Sequence, residues 1–186
     1  GDGVREKGGI RLSILYQTST NGVRQDTQAL LKEWWSEIGI ETELRSIAGS
    51  VFFSGDAGSP DTRQKFYADV EMYTDNTKGT DPQTYLANWR CDDVPSPSNQ
   101  WKGGNIQRFC DPSYDEAVAR MAETADPEER EKLAREMNDK LVQSFTIIPL
   151  VFRATVMAWS NDLIGAETNG WDSQLWNIQD WSRRKE

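Results

Sequence analysis

Apolar and polar residues alternate along the first regular stretch of the chain, and the period then changes. Residues 10–16 alternate as in a strand whose two faces differ. Across residues 23–38 the apolar positions return every three or four residues, which predicts an amphipathic helix. Gly39 follows as a C-cap, and residues 40–47 alternate again. The pattern predicts a strand–helix–strand unit with neighbouring parallel strands. The positions that set the helical period are Val23, Thr27, Leu30, Leu31, Trp34, Trp35 and Ile38.

Further regular segments follow later in the chain. Residues 67–74 alternate like a third strand, and helical periods occupy residues 112–122 and 126–143. Asp126 and Pro127 are typical N-cap and first-turn residues of the second of these helices. Two more strands are predicted near residues 147–152 and 155–160. Strands that alternate with helices predict an α/β fold, with a mixed β-sheet flanked by helices.

Length and charge narrow the class of protein. The chain has 186 residues, which suits one domain, and we expect a single α/β lobe over residues 1–186 with residues 1–8 as a linker. No apolar run approaches the roughly 18 residues needed to cross a bilayer. The 21 basic and 30 acidic residues give a net charge of -9. That charge repels a phosphate backbone, so nucleic acid is not an expected partner.

The chain contains no histidine and only two cysteines. Without histidine it cannot assemble a Ser-His-Asp or Cys-His catalytic site, and imidazole ligation of a metal is excluded. We therefore expect no metal and no cofactor. Cys91 and Cys110 flank a loop rich in proline and glycine. A disulfide across this loop would stabilise the fold by about 3 kcal/mol, the alternative being two unpaired thiols.

Several short motifs follow one another in a fixed order. They are Gly39-Ile40 before the second strand, Asp81-Pro82-Gln83-Thr84-Tyr85-Leu86 after the third, Asn105 ahead of Cys110-Asp111-Pro112-Ser113-Tyr114-Asp115, the Asp126-Pro127-Glu128-Glu129-Arg130 helix start, and Ile148-Pro149-Leu150. Their order over residues 9–181 resembles family 5 of the extracellular solute-binding proteins, the peptide, dipeptide and nickel receptors of ABC importers. A member of that family is far longer than this chain.

The resemblance implies one lobe of a type II periplasmic-binding-protein-like fold, in which two lobes close on a ligand by hinge motion. It implies the substrate-binding component of an ABC importer, which captures a small ligand, an oligopeptide in the first place, and performs no catalysis. The implied partners are that ligand, an ABC-type membrane permease and the missing N-terminal lobe of the same protein. The implied location is periplasmic or extracellular, at the cell-envelope side of the inner membrane.

Candidate ligand residues lie on the loop after the third strand. Asp75 would pair with a ligand ammonium group through a charge-assisted hydrogen bond, the alternative being a turn aspartate that bonds its own backbone. Tyr73 and Thr74 stand beside it at the strand end, where packing and edge hydrogen bonds are equally expected.

Three more candidates lie between the cysteines. Trp101 is either an aromatic platform for the ligand or an anchor that packs on the sheet. Asn105 offers a donor and an acceptor to a peptide backbone. Arg108 would meet a ligand carboxylate, although a solvated arginine is the simpler interpretation.

Other functions remain open at the level of sequence. The eight tryptophans are also compatible with a carbohydrate-binding receptor of the same family. The many carboxylates permit a carboxylate-pair glycoside hydrolase, although no two of them are singled out. A protein-interaction module with exposed tryptophans is a third alternative. Trp171, Trp176 and Trp181 are expected to cover the sheet or to pack against the missing lobe.

Overall fold

A computed structural model describes residues 2–76, 80–152, 156–170 and 173–184 of the chain. Its strands are β1 (Glu6–Lys7), β2 (Ile10–Arg11), β3 (Ser13–Ser19), β4 (Glu41–Ile47), β5 (Val70–Met72), β6 (Leu163–Ile164) and β7 (Ser182–Arg183). Its α-helices are α1 (Gly22–Glu37), α2 (Gly49–Phe52), α3 (Gln83–Leu86), α4 (Pro112–Glu123) and α5 (Pro127–Gln143). Short 3-10 turns occupy Ala87–Trp89, Cys91–Asp93, Pro97–Asn99 and Ile178–Asp180.

The central sheet has three parallel strands in the order β4-β3-β5. Strand β3 pairs with β4 along its whole length, from Ser13 opposite Glu41 to Ser19 opposite Ile47. Helix α1 connects these two strands, so the predicted parallel strand–helix–strand unit is confirmed. The α/β class is confirmed as well. The expected mixture of parallel and antiparallel pairing is present in separate sheets, because β1-β2 and β6-β7 form antiparallel pairs of their own. Residues 6 and 7, expected in a linker, thus belong to a strand.

Helix α1 packs on the sheet through a different face from the one its apolar period predicts. Gln28 is its fully buried residue, and its Nε2 donates to the Tyr16 carbonyl at 2.8 Å. The Trp35 ring lies 5.4 Å from the Tyr16 ring, whereas Trp34 is 54% exposed. Three other apolar positions of the helix are also exposed, namely Val23, Leu30 and Ile38. The predicted helix is confirmed, but four of its six apolar positions are exposed, because a helical period shows which residues share a face and not what covers that face.

A hydrophobic core lies between α3, α4 and α5. Its buried members are Leu86, Trp89, Tyr114, Ala117, Val118, Met121, Leu133, Met137 and Leu141. Helices α4 and α5 both begin with an aspartate N-cap followed by proline, as the sequence predicts for α5. Asp111 accepts from the Ser113 amide at 2.9 Å, and Asp126 accepts from the Glu128 amide at 3.1 Å. These caps fix the helix ends that carry the core residues.

The buried hydroxyl of Tyr114 links α4 to α3 within this core, since it donates to the Leu86 carbonyl at 2.6 Å. Tyr114→Phe is expected to lower the free energy of unfolding by about 1 kcal/mol, because the buried carbonyl loses its partner. Urea denaturation measures the change. Tyr67→Phe, at an exposed tyrosine, is the matched control and should leave stability unchanged. Equal effects of the two substitutions on stability would contradict a stabilising role of the Tyr114–Leu86 hydrogen bond.

The segment after α5 does not form the two strands predicted for it. Residues 147–152 and 156–160 are not in strands, and Phe145, Ile148, Val151 and Phe152 are exposed. No described strand lies alongside this segment to complete a ladder, so its apolar alternation has no sheet to join. Residues 153–155 and the predicted tail residue Trp171 lie outside the described residues.

The described end of the chain folds mainly on itself. Strand β6 pairs with β7, and Asn177 Nδ2 donates to the Gly165 carbonyl at 2.7 Å. Trp181 Nε1 in turn donates to Asn177 Oδ1 at 2.8 Å. Across the described ranges, no helix combines the length and the hydropathy that a membrane crossing needs.

Candidate functional site

A polar cavity of about 200 Å³ lies beyond the carboxyl end of β5. Its walls come from Arg63 in the segment before that strand, the loop after it, α3 with its following turn, and the loop between the two cysteines. The lining residues are Arg63, Asp75, Asn76, Thr84, Tyr85, Asn88 and Gly104. Ligands of open α/β sheets bind at the carboxyl ends of the strands, so this position is the expected one for a binding site.

Asp75 is the one sequence-predicted ligand residue that lines this cavity. It is exposed, and its Oδ1 accepts from the Asn76 amide at 2.9 Å. Its Oδ2 accepts no hydrogen bond from any described residue. The side chain therefore makes the turn contact that was the alternative interpretation, and it still keeps one carboxylate oxygen available for a cation.

Tyr73 and Thr74 brace the strand end that carries Asp75. The Tyr73 hydroxyl accepts from Gln107 Nε2 at 2.6 Å, and burial raises the pKa of Tyr73 to about 12. Thr74 Oγ1 accepts from an Arg24 guanidinium nitrogen at 3.2 Å. Both predicted residues thus lie beside the cavity, with their polar atoms bonded to other parts of the chain.

Arg63 is a lining residue that sequence reasoning missed. Its guanidinium carbon lies 5.1 Å from the centre of the Tyr73 ring and 5.8 Å from that of Phe53. Its Nε is buried without a hydrogen-bond partner in the described part of the chain. A single arginine in a polar, non-periodic stretch gives no pattern by which it could have been found.

Glu71 of β5 is a second missed residue, buried beneath the site. Its Oε1 accepts a short hydrogen bond from Gln17 Nε2, while its Oε2 is buried and unbonded among the described residues. Burial raises the pKa of Glu71 to about 8, against the opposing effects of the Gln17 hydrogen bond and the charges of Arg63 and Arg108. At neutral pH this carboxyl is therefore mainly uncharged.

The predicted disulfide is confirmed between Cys91 and Cys110, whose Cα atoms are 4.6 Å apart. It closes the cysteine loop, residues 91–110, which supplies Gly104 to the cavity wall. Gly103 has φ +136, and a Cβ there would lie 2.2 Å from the Asp93 carbonyl oxygen. Only glycine fits this position, and the turn it allows brings the Gly104 amide to Asp93 Oδ2 at 2.7 Å.

Asn105 holds the cysteine loop together from inside. It is fully buried, and its Nδ2 donates to the carbonyls of Arg90 at 2.8 Å and Phe109 at 2.6 Å. Its Oδ1 accepts from the Phe109 amide at 3.1 Å. The donor and acceptor that were predicted to bind a peptide backbone are thus both used within the loop, and Asn105 does not line the cavity.

Trp101 and Arg108 join the cysteine loop to the segment before β5. Lys65 Nζ lies 3.8 Å from the centre of the Trp101 ring, and Tyr67 packs edge-on against the same ring at 6.0 Å. Arg108 donates to the carbonyls of Ile106 at 3.0 Å and Lys65 at 2.8 Å. Trp101 thus contacts the segment before β5, and neither Trp101 nor Arg108 is among the residues that line the cavity. Within the described ranges, no group of three or more Cys, Asp or Glu residues is arranged to hold a metal.

No protein-family model matches this sequence, and no curated protein matches it. Solved structures do match. NikZ of Campylobacter jejuni in complex with Ni(L-His) has a TM-score of 0.73 at 18% identity, over 98% of this chain and 35% of that one. The oligopeptide-binding protein AppA of Bacillus subtilis with a nonapeptide has a TM-score of 0.68 at 18% identity, over 100% of this chain and 34% of that one.

A third similar structure is the oligopeptide-binding protein of Thermus thermophilus with a pentapeptide. Its TM-score is 0.68 at 22% identity, over 82% of this chain and 27% of the other. The chain spans about a third of the length of these proteins. The described residues therefore have the fold of one part of the solute-binding proteins of ABC transporters, and the resemblance to family 5 is confirmed at the level of the fold.

Proposed function

We propose that this chain is a ligand-binding lobe of the substrate-binding component of an ABC importer, and that it binds its ligand without chemical conversion. The observation that carries the proposal is the polar cavity at the carboxyl edge of the sheet, where one carboxylate oxygen of Asp75 is unbonded among the described residues. Binding sites of open α/β folds lie at this edge. The fold shared with solved solute-binding proteins supports the same role.

The proposed ligand is an oligopeptide whose terminal ammonium group pairs with Asp75. An ammonium group donates to a carboxylate through short, charge-assisted hydrogen bonds. Tyr73 and Thr74 position the strand end for this contact through their bonds to Gln107 and Arg24. Two similar structures, solved with a pentapeptide and a nonapeptide, support a peptide ligand. In this proposal Trp101, Asn105 and Arg108 act by shaping the wall of the cavity.

The proposal includes a second lobe, from the same protein, that closes over the ligand by hinge motion. The chain spans about a third of the length of the similar structures, which supports its assignment as one lobe. The exposed apolar residues of α1 and of residues 145–152 support it as well, since large exposed apolar surfaces mark interaction sites. The receptor would work outside the inner membrane and deliver its ligand to an ABC permease.

Asp75→Asn is expected to weaken binding of trialanine by at least about tenfold, or about 1.4 kcal/mol, because the amide no longer offers a charged acceptor. Isothermal titration calorimetry of the two proteins measures this. N-acetyl-trialanine, which lacks the ammonium group, should bind the unchanged protein as weakly as trialanine binds the variant. Asp139→Asn, at an exposed position on α5, is the matched control and should bind like the unchanged protein.

Equal affinity of the Asp75→Asn variant and the unchanged protein would refute the role of Asp75. Mass spectrometry of trialanine and of cellotriose after incubation with the protein tests the rival hydrolase, and intact molecules are expected. Saturable binding of cellotriose in place of trialanine would show that the receptor takes carbohydrate.

A further inference from the structure

We propose that Arg63 forms an anion-binding subsite in the cavity and receives a carboxylate group of the ligand. Its guanidinium lines the cavity together with Asp75, so the two side chains offer opposite charges to one bound molecule. The assignment of the anion to a transported ligand rests on the function proposed above, whereas anion binding at Arg63 does not.

The surroundings of Arg63 differ from those of Arg45 and Arg130, which form ion pairs. Arg45 pairs with Asp61 at 2.6 Å, and Arg130 pairs with Asp81 at 2.6 Å. Arg63 forms no ion pair and no side-chain hydrogen bond with any described residue, and its Nε is nevertheless buried. Buried donors of native proteins almost always have a partner, so the unpaired Nε–H of Arg63 calls for an acceptor that the described residues do not supply.

Two aromatic rings lie against the guanidinium, that of Tyr73 and that of Phe53, which is 41% exposed. Its carbon lies 5.1 Å from the ring centre of Tyr73 and 5.8 Å from that of Phe53. Contacts of this kind use the face of the guanidinium and leave the N–H groups at its edge unbonded. The edge is the part that forms two parallel hydrogen bonds with a carboxylate. The two ring contacts therefore stabilise the charge of Arg63 without giving its N–H groups a hydrogen-bond acceptor.

No carboxyl group in the described part of the chain forms an ion pair with Arg63. The charge of Arg63 opposes the rise in the pKa of Glu71, but Glu71 Oε1 is bonded to Gln17 and no Arg63–Glu71 ion pair forms. The pKa of Glu71 is raised to about 8 by burial, so at neutral pH it does not neutralise the guanidinium. Asp75 lines the same cavity, yet no ion pair joins it to Arg63 among the described residues. The cation thus remains available to an external carboxylate.

The experiment follows the Nε–Hε resonances of arginine by NMR while sodium acetate is added at constant ionic strength, with sodium sulfate as a second probe. The Arg63 resonance is expected to shift and saturate with acetate, whereas that of the ion-paired Arg45 stays in place. Arg63→Lys keeps the charge but loses the planar fork, so it should weaken acetate binding by at least about tenfold, followed through the backbone amides around the cavity. Arg63→Met should abolish it.

An Arg63 resonance that shifts no more than that of Arg45, or that shifts without saturating, would overturn the proposal. Tighter binding of sulfate than of acetate would overturn the assignment to a carboxylate. Because the titration uses the anion alone, it decides on Arg63 whether or not trialanine binds at Asp75. It also needs only the unchanged protein, so misfolding of a variant would not leave the proposal undecided.

Discussion

Replacing both cysteines by serine is expected to lower the free energy of unfolding by about 3 kcal/mol, because the open chain regains the entropy that the Cys91–Cys110 bond removes. Guanidinium denaturation of the oxidised protein and of the Cys91→Ser, Cys110→Ser double variant measures the difference. Treating the double variant with reductant should change nothing, whereas reducing the unchanged protein should bring it to the stability of the variant.

Removing the disulfide should increase local opening at the cavity wall as well as lower the global stability. The bond closes the loop that contributes Gly104 to the wall, and Asn105 inside the loop bonds backbone on both sides of it. Amide hydrogen exchange in residues 91–110 is expected to accelerate in the double variant more than exchange in α5. Unchanged stability on reduction would show that the buried contacts of Asn105 hold this loop by themselves.

Glu71→Gln is expected to raise the free energy of unfolding at pH 9 by on the order of 2 kcal/mol, and to leave it nearly unchanged at pH 4.5. The buried carboxyl has a pKa of about 8 in the folded protein, above the ordinary value of 4.5. Between these two values the folded state keeps a proton that the unfolded state has released. The stability of the unchanged protein therefore falls as the pH rises from about 4.5 to about 8.

Glutamine has the shape of the protonated carboxyl and can still accept from Gln17 Nε2, so the variant should lack this part of the pH dependence. Urea denaturation at pH 4.5, 7 and 9 gives the difference between the two proteins. Glu136→Gln, on the exposed side of α5, is the matched control and should show no pH-dependent difference. Parallel stability curves for Glu71→Gln and the unchanged protein would contradict the burial of a neutral carboxyl at this position.

Local sequence patterns determined those helices, strands and caps whose formation depends on residues close together in the chain. The alternation before and after α1 predicted two strands, because side chains of period two belong to a two-faced sheet, and the helix between them predicted that they run parallel. Asp126 and Pro127 predicted the start of α5 because capping is a contact between near neighbours. The spacing of Cys91 and Cys110 around a turn-rich loop predicted their bond.

The tertiary structure alone decided which side chains lie in the cavity and which surfaces are covered. Arg63 and Asp75 are separated by a whole strand, and nothing local to either residue states that they line one cavity. Asn105 and Trp101 have the chemistry of ligand residues, but the chain uses that chemistry to hold its own loop. The apolar face of α1 is equally ambiguous, since a sequence shows that side chains share a face, whereas packing between distant segments decides what that face meets.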